Sequence, residues 1–301
     1  GSSVHPFAAY IGYKISKKSN SIFYFEERDL WPQTFVDFGK ISKNNPITKV
    51  LYWFEKFLYK KSDRIIILFD RAVEYVCSRG IERNKVLYIP NGVSLDKYRD
   101  LRIDKSIKNL FPIEKNIVIY TGSHGIANDL YPLIETAKIL TKNNKVHFVL
   151  VGNGPLKEKL KSMAKEHSLK NITFLDPVPK DKIPLILSLA DLSFISIKNS
   201  PLYKWGFSMN KLYDYMAAGL PIMIHSSKEV LGELIHVNGI KLAENPNELA
   251  NKIIEIIDDK EYKKHAGNNL RQFVETNYSW EKLVVNLEES MILDLRERYS
   301  Q

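Results

Sequence analysis

The sequence WGFSMNKLYDYMAAGLP, residues 205–221, sets the reading of the whole chain. Asn210 and Lys211 fall in the first turn of a predicted helix, where open backbone N–H groups and a cation can converge on a diphosphate. Asp214 follows Lys211 by three residues and projects from nearly the same face, so its carboxylate can accept hydrogen bonds from the two hydroxyls of a ribose. The competing reading is an ordinary amphipathic helix carrying a surface ion pair between Lys211 and Asp214. Ala217, Ala218 and Gly219 keep the helix end thin before the turn Gly219 to Pro221 and the apolar run behind it.

That run, LPIMIH (220–225), has seven counterparts: SIFYF (21–25), RIIILF (64–69), KVLYI (85–89), NIVIYTG (116–122), VHFVLVG (146–152), NITFL (171–175) and LSFISI (192–197). Nearly continuous apolar strands alternating with amphipathic helices predict parallel sheets covered on both faces, a doubly wound α/β fold. Pro46 opens a helix in which Ile47, Val50, Leu51, Phe54 and Leu58 share one face. Apolar periodicity lapses over 90–116, which places a domain boundary there. Residues 1–98 are expected to form a first Rossmann-like domain and 99–276 a second. The stretch 277–301 reads as a terminal helix with Leu283, Leu287, Met291 and Leu295 on a stripe, returning to the first domain or packing on the second. Three strands fall short of the ~150 residues of a complete doubly wound half, so the first domain is expected to be truncated and the chain a fragment or a shortened gene product.

A length of 301 residues suits two domains, and 44% hydrophobic with 26% charged residues describes a packed globular protein. The net charge of +9 is spread over lysine-rich helix faces, without the like-charge blocks or aromatic strings of a nucleic-acid binder. Solvated helix faces, an anionic membrane surface and diphosphate ligands all accommodate it. A single cysteine, Cys77, excludes an internal disulfide framework and fits a reducing compartment. The chain has no HExxH, CxxC or clustered carboxylates, so no protein-bound metal or other cofactor is expected. No apolar run approaches the ~18 residues of a membrane span, and a cytoplasmic location, soluble or peripheral on the inner membrane face, is expected.

TGSHG (121–125) and VGNGP (151–155) each close a buried strand and open a helix, the edge at which an open parallel sheet binds ligands. Gly122, Gly125 and Gly152 let the backbone approach a phosphate, with the amide of His124 among the donors; a glycine there can also serve the turn alone. ERDLWP (27–32) sets charge directly after the first strand, so Arg28 and Asp29, with Glu27, either face a ligand or cap the strand as an ion pair. His5 and His124 stand near turns, as capping or surface residues or as catalytic ones. In the helix 47–61, Trp53, Phe54, Phe57 and Tyr59 stand among Lys49, Lys56, Lys60 and Lys61, a mixture that suits a membrane interface or burial against a sheet.

NKLYDYMAAGLPI (210–222), with PNGV (90–93), VGNGP and NYSWEKL (277–283), resembles glycosyltransferase family 4. GSSVHPFAAYIGY (1–13) and FEERDLWPQTFVDFGK (25–40) resemble its bacterial branch that assembles surface polysaccharides, including N-acetyl-L-fucosamine transferases. The likeness covers almost the whole chain. It implies a GT-B fold, two Rossmann-like domains facing a cleft in which the reaction occurs. It implies transfer of a sugar from a UDP-sugar donor to a lipid-diphosphate-linked glycan in capsule, O-antigen or exopolysaccharide synthesis, with retention of anomeric configuration.

In many members a pair of glutamates eight residues apart contacts donor sugar and ribose, and the matching positions here are Gly206 and Asp214. The resemblance thus puts Gly206, Phe207 and Ser208 at the donor sugar without a carboxylate. The Arg and Lys that neutralise the diphosphate in many members are missing around Ser123 to Asp129, which leaves that task to Lys211 and the amides near His124, Gly125 and Asn210. Arg28 stands roughly where many members have a histidine at the transferred sugar, so Arg28, Asp29 and Lys211 are the expected catalytic residues. Retention without an obvious nucleophile implies same-face attack, in which the departing phosphate accepts the acceptor's proton. Two other outcomes are a fragment that binds nucleotide and transfers nothing, and a GT-B nucleotide-sugar 2-epimerase, against which the DYMAAG helix and RDLWP speak.

Overall fold

A computed structural model describes every residue except Val4, Ile103, Asp104, Ile113, Asn199 and Gln301; Ile103, Asp104 and Ile113 of the predicted boundary stretch therefore lie outside the described residues. The chain divides into two compact units: Gly1–Asn91 with Ser200–Ser208 and Glu281–Gln301, and Gly92–Asn199 with Met209–Trp280. All eight apolar runs are strands, and a ninth, Ile240–Ala243, joins them. It is four residues long with Lys241 exposed inside it, too short for either period to show.

The first unit holds β1 (Tyr24–Glu27), β2 (Arg64–Ile67) and β3 (Val86–Tyr88), parallel in that order. Phe25, Ile65, Ile67, Leu58, Tyr59 and Tyr75 make its core. The helix Pro46–Lys61 starts as its sequence dictates, with Pro46 in the first turn and the Asn45 side chain accepting from the Ile47 amide at 2.8 Å. Its buried face differs from the predicted stripe. Thr48, Glu55, Leu58 and Tyr59 point inward, while Ile47 and Val50 are 69% and 62% exposed. The reason is a second partner: Phe54 and Phe57 pack on Phe7, Tyr10 and Tyr13 of the helix Pro6–Ser19, turning the aliphatic flank outward. Glu55 is tolerated inside because the Tyr75 and Tyr59 hydroxyls donate to it and Arg79 lies 3.3 Å away; burial still pushes its pKa up to about 7.

The terminal helix Trp280–Tyr299 also departs from its predicted stripe. Leu283 is buried, but Met291 and Leu295 are exposed, and the inward residue of the last turns is Asp294. Its carboxylate accepts from Arg64 Nε at 2.9 Å and from the Tyr24 hydroxyl, so a charge-assisted cluster holds where apolar packing was expected.

The second unit holds β4 (Asn116–Thr121), β5 (Val146–Val151), β6 (Ile172–Leu175), β7 (Leu192–Ser196), β8 (Ile222–His225) and β9 (Ile240–Ala243), all parallel, in the order β6-β5-β4-β7-β8-β9. Every residue of β5 is buried, as a strand covered on both faces requires. Chain order reverses between β4 and β7, and an open α/β sheet binds ligands at the carboxyl ends of its strands beside such a reversal. Among the described residues no helix is long and apolar enough to cross a membrane.

Candidate functional site

Two glycine loops leave the carboxyl ends of β4 and β5 in the second unit and interlock. Gly122 and Gly152 have φ of 140° and 143°, and a Cβ on Gly152 would fall 1.9 Å from the Gly122 carbonyl oxygen. The loops are stitched by Gly122 N–H to Val151 O at 3.0 Å, His124 N–H to Asn153 O at 2.8 Å and Leu156 N–H to His124 O at 3.0 Å. Gly125 has an ordinary extended backbone and opens only a short turn, Ile126–Asn128; the α-helix expected directly after TGSHG begins at Tyr131. Lys157, in the first turn of the helix Lys157–Glu166, is buried and donates to Gly152 O, Leu175 O and Asp176 Oδ1 at 2.8, 2.9 and 2.8 Å.

The helix Asn210–Ala218 begins where the sequence placed it, without a side-chain cap; the Leu212 amide turns back to Met209 O at 2.9 Å, and Asn210 itself is exposed. Tyr215 anchors it, accepting from the Thr121 amide at 2.8 Å at the end of β4. Lys211 reaches the glycine loops. Its amine donates to the Tyr120 hydroxyl at 2.9 Å and to Asn128 Oδ1 at 2.7 Å, lies over the Tyr120 ring, and is 3.1 Å from the point a Gly122 Cβ would occupy. Desolvation of that amine lowers its pKa to about 7. Asp214 turns elsewhere, accepting from the Tyr98 hydroxyl at 2.7 Å, and burial raises its pKa. Among the described residues no ion pair joins Lys211 to Asp214, so the surface-pair reading of this helix does not hold. The two groups are aimed at separate points.

His124 is fully buried, contrary to its reading as a surface or capping residue, and neither ring nitrogen has a hydrogen-bond partner among the described residues. Burial, reinforced by the cations of Lys157, Lys211 and Lys161, lowers its pKa to about 4. The ring is neutral at physiological pH and offers one N–H donor and one acceptor. Beside these loops a cavity of about 350 Å³ is lined by Gly122, Ser123, Asn153, Pro177, Val178 and Ile183.

The remaining predicted residues belong to the first unit. Arg28 and Asp29 are both exposed beyond the end of β1, their amides donating to Ser3 Oγ at 2.9 and 3.3 Å; desolvation raises the Asp29 pKa against the pull of Arg28. Glu27 is buried, and burial together with Glu55 holds its pKa well above the carboxylate range. His5 is an exposed residue preceding the helix Pro6–Ser19. Gly206 and Phe207 are buried, and Gly206 has φ of 93°. Ser208 is clamped by Asn91, whose amide donates to Ser208 Oγ at 3.1 Å and whose Nδ2 donates to Ser208 O at 2.9 Å. Within PNGV, Asn91 therefore fastens the segment 200–208. The whole of that segment groups with the first unit, where the sequence reading had it in the second domain.

Sequence reasoning missed Lys157, Tyr120, Asn128 and Tyr98. The polar residues that reach Lys211 and Asp214 lie far from them in sequence, and no local pattern marks such a pairing. Lys157 had a local signal, a lysine two residues past VGNGP at the opening of a helix, which surface charge elsewhere in the chain conceals.

Comparison with known proteins gives a consistent picture. An uncharacterized glycosyltransferase of Methanocaldococcus jannaschii, MJ1069, is 26% identical over 247 residues, which covers 78% of this chain and 61% of that protein. The chain spans about three fifths of the length of the first curated relatives it matches. Among solved structures, Anabaena Alr3699/HepE in complex with UDP superposes with a TM-score of 0.77 at 15% identity, covering 95% of this chain and 76% of that one. WaaG, a glycosyltransferase involved in lipopolysaccharide biosynthesis, superposes with a TM-score of 0.66 at 16% identity, over 84% of this chain and 70% of that one. These likenesses make the fold GT-B, with its two Rossmann-like sheets. The profile of the family described as glycosyl transferases group 1 matches residues 102–273, more than half of the sequence, and the chain belongs to that family.

Proposed function

We propose that the chain takes a sugar from a UDP-sugar and transfers it, with retention, to a lipid-diphosphate-linked glycan of a bacterial surface polysaccharide. The observation that carries this reading is the Lys211 amine. It is desolvated, and the partners described for it are the uncharged oxygens of Tyr120 and Asn128. A buried cation without a carboxylate is costly, and a diphosphate against the glycine loops and the N-terminus of Asn210–Ala218 would supply the missing charge. Asp214 would accept the ribose hydroxyls, and the cavity walled by Pro177, Val178 and Ile183 has the flat apolar faces a pyrimidine needs. UDP in the Anabaena neighbour supports the choice of nucleotide, and the involvement of WaaG in lipopolysaccharide biosynthesis supports a place in surface-polysaccharide synthesis.

As the anomeric bond breaks, negative charge builds on the departing diphosphate, where fixed N–H dipoles and Lys211 stabilise the transition state more than the ground state. The acceptor oxygen forms the new bond from the same face and its proton passes to the leaving phosphate oxygen, so no dedicated base is needed. Arg28 and Asp29 are the first unit's candidates for contact with the reacting sugars.

Isothermal titration tests the reading. UDP should bind the chain, and Asp214→Ala should weaken it about tenfold or more, the worth of hydrogen bonds to a charged group, whereas Asp214→Asn, which keeps an oxygen for Tyr98, should lose less. No change in either variant overturns the ribose assignment. Transfer is then measured with a lipid-linked acceptor; UDP binding without transfer would leave a nucleotide-sugar-binding unit.

The same reading brings the protein to the cytosolic membrane face. Ile47, Val50 and Trp53 on one helix and Phe7, Ile11 and Ile15 on its neighbour are all more than half exposed, and Lys49, Lys56 and Lys60 are exposed beside them. Each lysine near an anionic surface contributes about 1 kcal/mol, so reversing these three to glutamate should lower binding to phosphatidylglycerol vesicles by at least about a hundredfold. Flotation that ignores both lipid charge and these lysines would remove the membrane from the proposal.

A further inference from the structure

The structure assigns a second ligand site to the first unit, a basic hollow at the amino ends of its strands that takes clustered phosphate groups. The hollow measures about 730 Å³. Its wall includes Ile22 ahead of β1, Asp63 ahead of β2 and Lys85 ahead of β3, so it lies at the opposite edge of that sheet from Arg28 and Asp29. Three helices end around it: Pro6–Ser19 brings Lys17, Pro46–Lys61 brings Lys61, and Trp280–Tyr299 brings Asp294 and Arg298. Among the described residues that line it Ile22 alone is apolar, which leaves no wall for an aromatic or aliphatic ligand. Six of the lining residues are lysine or arginine and four are aspartate or glutamate, so the ligand that fits is anionic.

Two of the carboxylates are already engaged. Asp294 accepts from Arg64 Nε at 2.9 Å and from the Tyr24 hydroxyl, and Asp63 Oδ2 accepts from the Phe23 amide at 2.7 Å. The cations are less well matched: among the described residues no ion pair joins Lys17, Lys61, Lys85 or Arg298 to a carboxylate. Lys85 Nζ donates to Tyr59 O and Lys60 O at 3.4 and 3.5 Å, long contacts with neutral oxygens, and desolvation lowers its pKa. Arg298 Nη2 reaches across to Asn20 Oδ1 at 2.6 Å. A lysine in the last turn of a helix can serve the helix dipole alone. That role does not explain why cations from three helices and from the start of β3 meet over one cavity. Glu82 and Glu297 stand exposed on the rim, so the ligand needs several negative charges to prevail over them, together with acceptor oxygens for a lysine amine and an arginine fork. Clustered phosphates supply both. They come free in solution or on the headgroup of an anionic lipid.

The test is titration of the full chain with inorganic pyrophosphate in the presence of excess UDP. Lys85→Gln keeps a donor for the two carbonyls and removes the charge. It should weaken pyrophosphate about tenfold, as should Arg298→Gln, the worth of one charge-assisted hydrogen bond each, and the double variant should lose about a hundredfold. Affinity for UDP and the melting temperature should stay at wild-type values in all three. Pyrophosphate affinity that these variants leave unchanged overturns the site, and so does a wild-type chain that shows no binding at about 1 mM. An equal loss in Lys142→Gln, an exposed lysine of the second unit, overturns it as well, because attraction to overall charge would then suffice. The variants locate the site, so its test stands whether or not the chain binds UDP. Flotation with phosphatidic acid vesicles separates the two sources. Release by pyrophosphate, with weaker flotation in the double variant, upholds the site with a lipid headgroup in it, and pyrophosphate binding with flotation untouched by the double variant upholds it with a free phosphate ligand.

Discussion

Lys211→Met should abolish measurable UDP binding and, in the unliganded chain, raise the melting temperature. The two effects have one cause. In the folded chain the Lys211 amine is desolvated and its pKa falls to about 7, against an ordinary value of 10.5. Between those limits the unfolded chain binds more protons than the folded one, so stability rises with pH through this interval. Below about pH 7 the charge is buried in the fold at full cost. Methionine has similar length and no charge, so it removes the cost, and the pH dependence between about 7 and 10 should flatten with it. A diphosphate reverses the balance by returning a counter-charge to the amine. Loss of the cation should then weaken UDP at least about a hundredfold, in the range measured when one partner of a buried charge pair is removed. Wild-type affinity for UDP should itself decline as pH rises above about 7, because binding then requires taking up a proton. Calorimetric titration across this interval, with scanning calorimetry of both forms, reads all three effects. A Lys211→Met protein that binds UDP as wild type does, or a wild-type affinity independent of pH, would sink the assignment.

This pairing of cost and use explains why the helix Asn210–Ala218 could be read from sequence while its partners could not. The features of that helix are local: Asn210 and Lys211 in the first turn, Asp214 three residues on, and small residues before Gly219, all of which survive in one dimension. The strands were legible for the same reason, since burial on both faces forces a continuous apolar run. What completes the site is not local. Tyr120 lies 91 positions from Lys211 and Tyr98 lies 116 positions from Asp214, and only the β4–β7 reversal and the surrounding loops bring them together.

The errors also share a cause. Helical periodicity shows that Ile47 and Val50 are apolar and share a stripe with Leu58, but not which neighbour covers them; aromatic packing from the helix Pro6–Ser19 left Leu58 inside and turned Ile47 and Val50 outward. The terminal helix was expected to hold by its leucine stripe, and its last turns hold instead by Asp294, whose partners Arg64 and Tyr24 lie at the far end of the sequence. Gly206 is the most telling case. As a letter it reads as a missing side chain, and in the fold it is the space occupied by Asp70, a residue whose own sequence context, FDRAV, carries no signal.

Gly152→Ala should destabilise the second unit by about 3 kcal/mol or more, while Gly125→Ala should leave stability nearly unchanged. The two glycines sit in the two loops that interlock, and sequence alone ranks them equally. At Gly152 the new methyl group would stand 1.9 Å from the Gly122 carbonyl oxygen, a backbone atom that cannot rotate away, and φ of 143° is already unfavourable for an L side chain. Relief requires the two loops to part. That breaks the Gly122 to Val151 and His124 to Asn153 hydrogen bonds and pulls the Gly152 carbonyl from Lys157, whose buried amine loses one of its three acceptors. At Gly125 the backbone is extended and the methyl group would meet only the Ser123 hydroxyl at 3.1 Å, which a change of rotamer clears. Urea unfolding followed by the signal of each unit should show a lowered midpoint for the second unit in Gly152→Ala alone, and UDP binding should fall with it because Gly122 is displaced from the Lys211 amine. A Gly152→Ala chain that unfolds at the wild-type midpoint would mean that the loops are not locked together and that the diphosphate surface is assembled only when ligand arrives.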